Sequence, residues 1–288
     1  MPSFNQGQFI EESIKSVLDQ SYPNCELIVA DGGSTDNTLS SLNNLKSIYG
    51  KRLRWISEAD SGPANAINKA IKLSAANIIG WLNSDDLYAL RSLSTAYLYF
   101  KTHPECIMFY GQGEHIDALG KFLGHYPTLP PPDSDQAFQN GCFICQPTVF
   151  LRRDVFDQVG LLDESLATAF DFELWMRIFK AYPEQVGFMS QLLAYSRIHA
   201  DCITSMQRRL VAIENIKILK KHYNHAEIHW LQTYVQELYQ SLPDGYDSLA
   251  VKSQILEVLS TVENDLNQRD VMQFKSCLDQ DTRFNSAL

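Results

Sequence analysis

The first hundred residues alternate short apolar runs with amphipathic segments, and this order restricts the fold more than any other feature of the chain. The apolar runs are CELIVA, LRWIS and NIIGWL. Segments such as FIEESIKSVLDQ, TLSSLNNLKSIYG and PANAINKAIKLSA lie before and between them, with apolar residues at helical spacing. Strands that alternate with helices form a parallel sheet covered by helices on both faces. The sequence therefore predicts an α/β fold.

A polar cluster follows each of the three apolar runs. DGGSTDNT follows the first run, SEADSGPAN the second and NSDD the third. Open α/β sheets bind their ligands at the carboxyl ends of the strands. We therefore expect the three clusters on one edge of the sheet, where they would form a common ligand site.

The NSDD cluster places two adjacent carboxylates, Asp85 and Asp86, directly after a strand that reads as buried. One explanation is a helix cap, since Ser84 or Asp85 could accept hydrogen bonds from the first turn of a following helix. A cap needs one oxygen acceptor, however, whereas paired acids suit a hard divalent cation. Such a cation can bridge a diphosphate and take up the charge of a departing phosphate. We therefore predict Mg²⁺ or Mn²⁺ here, a role compatible with a cap.

The DGGSTDNT cluster begins with Asp31 at the end of a strand. Gly32 and Gly33 permit a tight turn close to a ligand, and Ser34 or Thr35 could cap the next helix. An ordinary strand-turn-helix connection would explain the same residues. In the functional interpretation, the Asp31 carboxylate binds a nucleobase or a ribose.

Composition excludes several classes of protein. The 288 residues are 45% hydrophobic and carry a formal net charge of -10. That charge argues against binding to nucleic acid, which requires a basic surface. No apolar run approaches the roughly 20 residues of a membrane span. The six cysteines show no regular spacing and no secretory signal is evident, so we expect reduced thiols in a cytoplasmic protein, with the C-x-x-C at Cys142 and Cys145 as structural thiols.

The second half of the chain changes pattern twice. CIMFYG, EHIDALGKFLGHY and PTVFLRR read as strands, DFELWMRIFKAY as a strong helix, and VGFMSQLLAYSRIH as a bent strand or strand pair. From about Met206 the chain reads as almost entirely helical. We therefore expect a catalytic domain over 1–204 and a helical C-terminal extension over 205–288. Residues 2–5 read as the end of a first strand whose body is missing, so the true start would lie upstream of Met1 or the sheet would lack that element.

Several stretches occur in the order seen in one enzyme family. They are PSFNQGQFIEESIKSVLDQSYPNCELIVADGGSTDNT, DSGPANAINKAI, LNSDD, QPTVFLRRDVFDQVGLLDESLATAFDFELWMRI and YSRIH. In this order they resemble the family 2 glycosyltransferases, in particular a bacterial rhamnosyltransferase-like type, over roughly residues 1–204. The resemblance implies a GT-A fold, a Rossmann-like and mostly parallel sheet flanked by helices. A dinucleotide-binding oxidoreductase would instead show G-x-G-x-x-G after its first strand, and this sequence has no such motif there.

The resemblance also implies a binding site for a nucleotide sugar. Phe4 would stack on the nucleobase, Asp31 would bind the base or ribose, and Asp85 would face the ribose or sugar. The residues that it places around the nucleotide sugar are Pro2, Phe4, Asn5, Asp31, Asp60, Gly62, Asn83 and Asp85.

The same resemblance assigns the metal and the catalytic base. Asp86 would hold the metal on the diphosphate, and His199 would be a further metal ligand or a phosphate contact, although it could equally be a hydrogen-bonded surface histidine. Asp171 matches the position of the base that takes the proton of the acceptor hydroxyl. A first-turn acid favoured by the helix dipole is the alternative for Asp171, and Glu173 is a second candidate base.

Three positions depart from the family pattern. Asn83 stands where the family has the first acid of a loose D-x-D, and Phe170 where it often has an acid before the base. The family often carries a basic residue in the NAINK region to contact phosphate. Here Ile67 occupies that region, which leaves Lys69 and the metal to meet the phosphate charge.

These features predict an inverting, metal-dependent transfer of a sugar from a nucleoside diphosphate sugar to a hydroxyl acceptor on a glycan or lipid-linked glycan. Inversion follows from the resemblance and not from spacing. One alternative is a sugar nucleotidyltransferase, which would usually show a glycine- and lysine/arginine-rich loop after its first strand, but NQGQF lacks the basic residues. The other alternative is a noncatalytic nucleotide-sugar-binding protein. The helical extension could serve the acceptor, a homo-oligomer or, through Lys217, Lys220 and Lys221, peripheral contact with the inner face of a membrane. Most such charge runs are only solvated helix faces.

Overall fold

The chain forms two compact units. The computed structural model describes residues 1–243 and 246–280, apart from the side chains of 204 and 205. The first unit comprises Met1–Asp135 and Phe143–Cys202, and the second comprises 136–142 together with the chain from Ile203 onward. The first unit ends at Cys202, and the catalytic domain over 1–204 with its extension over 205–288 stays a prediction. The structure also places 136–142 in the second unit, which the sequence did not indicate.

The first part of the chain builds a parallel three-stranded sheet. Its strands, in the order β1-β2-β3, are β1 (Pro2–Ser3), β2 (Leu27–Asp31) and β3 (Leu53–Ser57). The helices that alternate with them are α1 (Ile10–Leu18), α2 (Thr38–Tyr49) and α3 (Pro63–Leu73). The alternation in the sequence predicts this order for CELIVA and LRWIS. The third apolar run, NIIGWL, instead contributes β4 (Ile78–Gly80) to a second sheet, so the expectation that all three polar clusters follow strands of one sheet is wrong.

Side-chain alternation along β2 explains why both faces of this sheet are covered. Leu27 and Val29 belong to a core cluster with Ile10 and Ile14 of α1. Ile28 and Ala30 point to the opposite face and belong to a cluster with α3. A strand buried on both faces reads as the continuous apolar run seen in the sequence.

The second sheet of the first unit is mixed. Its strands are β4 (Ile78–Gly80), β5 (Leu87–Tyr88), β6 (Met108–Ile116), β7 (Phe122–His125), β8 (Phe150–Arg152) and β9 (Val186–Arg197). Their order is β4-β8-β6-β9-β5, with β7 paired to β6. The β6–β9 ladder is parallel, whereas the ladders of β4, β5, β7 and β8 are antiparallel. The predicted α/β class is confirmed, with an all-parallel first sheet and a second sheet in which only the β6–β9 ladder, among the described strands, is parallel.

The helices of this half are α4 (Ser92–Thr102), α5 (Val155–Val159) and α6 (Phe170–Ala181). NSDD is followed by the strand β5, and α4 has Arg91 as its N-cap. Neither Ser84 nor Asp85 therefore caps the next helix, so that explanation of the paired acids is wrong.

The first strand is short. Pro2 and Ser3 pair with Ala30 and Asp31, the last two residues of β2. The amino group of Met1 donates a hydrogen bond to the Ile28 carbonyl oxygen at 2.9 Å, and burial lowers the pKa of that amino group to about 5. β1 thus orders the loop that follows it.

The second unit is helical, as predicted for the C-terminal extension. Its helices are α7 (Ile203–Met206), α8 (Arg208–Tyr223), α9 (His229–Gln240), α10 (Ser248–Val262) and α11 (Gln268–Gln280). Residues 244–245 and 281–288 of the predicted extension lie outside the described residues. Among the helices that the structure describes, none is long and apolar enough to cross a membrane.

Candidate active site

The NSDD segment forms a tight turn at the end of β4. The Asp86 amide donates to the Asn83 carbonyl oxygen at 3.3 Å, and the Ser13 hydroxyl of α1 donates to the Ser84 carbonyl oxygen at 2.9 Å. Ser84 is buried. The turn is therefore held from within and across the unit, and its carboxylates have defined positions.

Asp86 is the inward-facing member of the pair. Its carboxylate is buried and accepts hydrogen bonds from the Arg197 amide at 2.8 Å and from the Asn83 side-chain amide at 3.2 Å. Burial, followed by the neighbouring charge of Asp85, raises the pKa of the Asp86 carboxyl well above its usual range. Each Asp86 carboxylate oxygen thus already has a partner inside the protein.

Asp85 is paired with His199. The His199 Nε2 atom lies 3.0 Å from an Asp85 carboxylate oxygen, and the imidazole packs against the Phe9 ring with centroids 4.7 Å apart. Two neighbouring ligands of an octahedral ion at about 2.1 Å each are separated by roughly 3 Å. The pair therefore has the spacing and the atom types of two ligands of one cation.

A cation at this pair would need further ligands. Among the residues that the structure describes, no set of three or more His, Cys, Asp or Glu side chains is placed to hold a metal ion. Mg²⁺ sites commonly use one or two protein ligands together with substrate phosphates and water. The residues present fit that arrangement, in which a diphosphate completes the coordination.

The amide side chain of Gln146 supports the turn, although the sequence did not single it out. Its Nε2 atom donates to the Trp81 carbonyl oxygen at 2.9 Å, and its Oε1 atom accepts from the Asn83 side chain at 3.1 Å. Asn83 thus bridges Gln146 and Asp86. An acid at position 83 could not donate these hydrogen bonds, so the departure from D-x-D has a structural role here.

Asp31 organises the loop after β2. Its carboxylate accepts hydrogen bonds from the Gly33 amide at 3.1 Å, the Ser34 amide at 2.9 Å and the Ser57 hydroxyl at 2.7 Å, and also from the Ser34 hydroxyl. Asp31 is buried, and Gly33 has a φ of 86°. The contacts that the structure gives Asp31 are therefore those of a turn-forming carboxylate, while its predicted contact with a base or ribose stays a prediction.

Asn5 connects the loop after β1 to the same turn. Its amide donates to the Ser34 hydroxyl at 2.7 Å, and its side-chain oxygen accepts from the Thr35 amide at 2.8 Å. Its φ of 52° lies in the left-handed region, which asparagine tolerates better than most residues. The neighbouring Phe4 has 60% of its surface exposed, whereas Pro2 is buried in β1. The exposed ring is thus available to a ligand.

The loop after β3 reaches this turn through Asp60. The Asp60 carboxylate accepts from the Gly62 amide at 2.9 Å, and Gly62 has a φ of 128° immediately before α3. A Cβ atom on Gly32 would lie 2.8 Å from the same carboxylate. A side chain at position 32 would therefore require the Asp60 carboxylate to move. Lys69, expected to face phosphate, forms an ion pair with Glu58 at 2.8 Å.

Asp171 is the second residue of α6 and is partly buried. It accepts a hydrogen bond from the Phe172 amide at 2.7 Å, and burial raises the pKa of its carboxyl to about 6. The other candidate base, Glu173, is buried and forms an ion pair with Arg177 at 2.7 Å. Asp171 is therefore the more accessible carboxylate of the two.

Stacked tryptophans relate Asp171 to the NSDD turn. Trp175 of α6 stacks on Trp81, two residues before Asn83, with ring centroids 5.4 Å apart and planes 13° from parallel. Residues four apart lie on the same face of a helix. Asp171 thus lies one turn before Trp175 on the helix face that packs towards the end of β4.

A second contact positions the segment before α6. Asn68 of α3 donates to the carbonyl oxygen of Leu162 at 2.9 Å and to the carboxylate of Glu164 at 2.8 Å, and it accepts from the Leu162 amide at 3.1 Å. No pattern in the sequence indicated this pair, because its partners are far apart in the chain.

Comparison with known proteins identifies the family. The family model for glycosyl transferase family 2 matches residues 1–160. An uncharacterized glycosyltransferase of Rickettsia conorii is 28% identical over 216 residues, which cover 70% of this chain and 34% of that protein. The chain thus matches about a third of that relative. TuaG of Bacillus subtilis, named for teichuronic acid biosynthesis, is 28% identical over 71% of this chain and 79% of its own length.

Solved structures share the fold at low sequence identity. S. aureus TarS in complex with UDP-GlcNAc superposes with a TM-score of 0.62 at 18% identity, over 93% of this chain and 80% of TarS. A mannosyltransferase from Pyrobaculum calidifontis, in complex with GDP-Man and Mn²⁺, gives 0.58 at 15% identity over 99% and 80%. These likenesses show a GT-A-like fold. Because the family model matches more than half of this chain, the chain belongs to glycosyl transferase family 2.

Proposed function

We propose that this glycosyltransferase is an inverting, metal-dependent enzyme that moves a sugar from a nucleoside diphosphate sugar to a hydroxyl group of a glycan or lipid-linked glycan. The observation that carries the proposal is the Asp85–His199 pair at the end of β4, with Asp171 on the helix that packs there. Relatives named for teichuronic acid biosynthesis and as a chondroitin synthase support a role in polysaccharide synthesis.

Asp85 and His199 are the residues that would hold Mg²⁺ or Mn²⁺. The geometry favours Asp85 over Asp86, the residue predicted for this role, because both oxygens of Asp86 accept hydrogen bonds inside the protein. Asp86 would instead hold the turn in shape. When bound, the cation supplies positive charge to the diphosphate as it leaves. This matters in a chain whose net charge is -10 and whose Lys69 is engaged by Glu58.

Asp171 would be the general base. The acceptor oxygen attacks the anomeric carbon, the bond from that carbon to the diphosphate oxygen breaks, and its electron pair leaves with the nucleoside diphosphate. The hydroxyl proton passes to the Asp171 carboxylate. A base works best when its pKa is close to the working pH, and the Asp171 pKa of about 6 leaves it ionised at neutral pH yet more basic than an ordinary aspartate.

The loops after β1, β2 and β3 would bind the nucleotide. The exposed ring of Phe4 would stack on the base, and Asn5 and Asp60 would shape the pocket through the Ser34 and Gly62 contacts. Asp31 would act mainly by fixing the turn, given its four hydrogen bonds within the protein.

A donor screen tests the proposal. UDP-, GDP- and dTDP-sugars are added with Mn²⁺, and the melting temperature is measured, since a ligand that binds the native state raises it. We expect one nucleotide class to raise the melting temperature, EDTA to remove the effect, and nucleoside diphosphate to be released with an acceptor. Pyrophosphate release would indicate a nucleotidyltransferase instead, and binding without any turnover would indicate a noncatalytic binding protein.

The Asp85→Asn variant tests the metal assignment. The substitution preserves the size of the side chain but removes its charge. We therefore expect the apparent affinity for Mn²⁺, measured from the rise in melting temperature, to fall at least tenfold and sugar transfer to be lost. The control is Asp154→Asn, an exposed aspartate in another part of the first unit. Unaltered metal dependence in Asp85→Asn would contradict the assignment.

A further inference from the structure

Arg197, the last residue of β9, contacts the NSDD turn through both its main chain and its side chain. The side chain is buried, and its Nε atom donates to the Asp85 carbonyl oxygen at 2.7 Å. One terminal nitrogen donates to the carbonyl oxygens of Asp117 and Ala118 at 3.2 and 3.1 Å. The other donates to the Glu12 carboxylate at 2.8 Å.

These contacts join three elements at one planar group. Glu12 belongs to α1, Asp117 and Ala118 to the turn between β6 and β7, and Asp85 to the NSDD turn. The guanidinium also lies over the Phe9 ring, 5.0 Å from its centroid. Because arginine offers five donors in a rigid fork, it can satisfy all of these acceptors at once.

We propose that Arg197 is a positioning residue that orients the Asp85 carboxylate for the cation by binding the Asp85 main chain. The inference rests on the proposed function, since it concerns the same metal and diphosphate. The guanidinium contacts the carbonyl oxygen of Asp85, so it leaves the carboxylate oxygens to His199 and to a ligand. A direct ion pair with the carboxylate would compete with the cation.

The backbone and the side chain of Arg197 act on different members of the acidic pair. The Arg197 amide binds the Asp86 carboxylate, and this bond survives any substitution except proline. The side chain binds at Asp85. Replacing the side chain therefore perturbs the Asp85 half of the turn while the Asp86 contact is retained.

Lysine and glutamine at position 197 separate position from charge. A lysine ammonium keeps the positive charge, but as a compact group it cannot replace the fork across Asp85, Asp117, Ala118 and Glu12. We expect Arg197→Lys and Arg197→Gln to weaken Mn²⁺ binding by similar factors of about ten to a hundred, the range for residues that orient metal ligands. The binding of UDP or GDP measured in EDTA should change less than twofold.

Arg152 provides a matched control. It also ends a strand, donates Nε to a carbonyl oxygen (Cys106, 2.8 Å) and lies over a phenylalanine ring (Phe100, 5.1 Å), but it has no contact with the NSDD turn. The dissociation constant of Mn²⁺ is measured by electron paramagnetic resonance with UDP or GDP present, together with kcat, KM and melting temperature. Arg152→Lys should lower the melting temperature and leave the Mn²⁺ constant unchanged.

Two results would overturn the inference. One is an Mn²⁺ constant in Arg197→Lys equal to that of Arg152→Lys, and the other is full recovery in lysine with loss in glutamine, which would assign the effect to charge. If the Arg197 variants do not fold, Glu12→Gln carries the test, with a two- to fivefold weaker Mn²⁺ constant expected and an unchanged one contradicting the inference. A wild-type protein that binds none of Mn²⁺–UDP, Mn²⁺–GDP and Mn²⁺–dTDP would overturn the proposed function itself.

Discussion

Among single residues, Asp171 links stability to the proposed activity, because the ionised carboxylate that a base requires lowers the stability of the folded state. Burial raises its pKa to about 6, so the folded state holds a proton that the unfolded chain releases near pH 4. Below about pH 4 both states are protonated and Asp171 costs nothing. The cost grows as pH rises from about 4 to 6 and is complete above about pH 6.

The variant Asp171→Asn should therefore be more stable than the wild type at pH 7.5, by about 1 to 3 kcal/mol, because a shift of one pKa unit corresponds to about 1.4 kcal/mol and the side chain keeps some contact with water. Urea unfolding at pH 7.5 and pH 4 measures the difference, which should vanish at pH 4. Equal gains at both pH values would contradict a buried, ionised Asp171.

The activity of the wild type should show the matching pH dependence. If Asp171 is the base, kcat/KM should rise about tenfold per pH unit below about pH 6 and level off above it. Initial rates at saturating Mn²⁺ measure this profile, with melting temperature recorded at each pH as a control. A flat profile between pH 5 and 7 would argue for another base.

At the scale of elements, the β6–β9 ladder depends on a residue without a side chain. The register shifts between Gly111 and Gln112, where β9 bulges between Met189 and Leu192. A Cβ atom on Gly111 would lie 2.8 Å from the Gln191 carbonyl oxygen and 2.7 Å from the Leu193 side chain. This ladder matters for the site, because β9 ends at Arg197 beside the NSDD turn.

The variant Gly111→Ala should lose about 1 to 3 kcal/mol of stability through overpacking. Its matched control is Gly124→Ala in β7, where a Cβ atom would meet nothing within 4 Å. Thermal and urea unfolding compare the two variants with the wild type. We expect Gly124→Ala to be neutral or slightly stabilising, and equal losses in both variants would contradict the role assigned to the bulge.

For the molecule as a whole, residues 136–142 matter because they belong to the second unit, although in the sequence they lie between the two segments of the first unit. Phe138 is fully buried, and the Gln139 side chain donates to the His225 carbonyl oxygen at 3.1 Å and accepts from the Glu227 amide at 3.2 Å. A fragment that ends at Cys202 would retain this segment without those partners.

The fragment 1–202 should therefore expose Phe138, bind the dye ANS and self-associate. Burying a phenylalanine contributes about 1.5 to 3 kcal/mol, so Phe138→Ser in the same fragment should reduce both effects. ANS fluorescence and size-exclusion chromatography measure them, and the full chain is the control. A monomeric fragment without ANS binding would show that the segment finds other cover.

The pattern of residues along the chain was enough to predict the α/β class, polar clusters after β2, β3 and β4, α6 over DFELWMRIFKAY and the helical second unit. These features are encoded locally, because the spacing of apolar residues within a few positions reports the period of a helix or strand. The ordered motifs also sufficed to indicate family 2, which the family model confirms over residues 1–160.

What each polar side chain contacts depends instead on how distant elements pack together. The tertiary structure turned Asp86 inward and paired Asp85 with His199, 114 positions away. It placed β5 after NSDD, because Leu87 and Tyr88 pair with β9. It also brought Gln146 to Asn83 and Arg197 to the Asp85 carbonyl oxygen. Such contacts depend on packing between elements distant in the chain, and no local spacing encodes them.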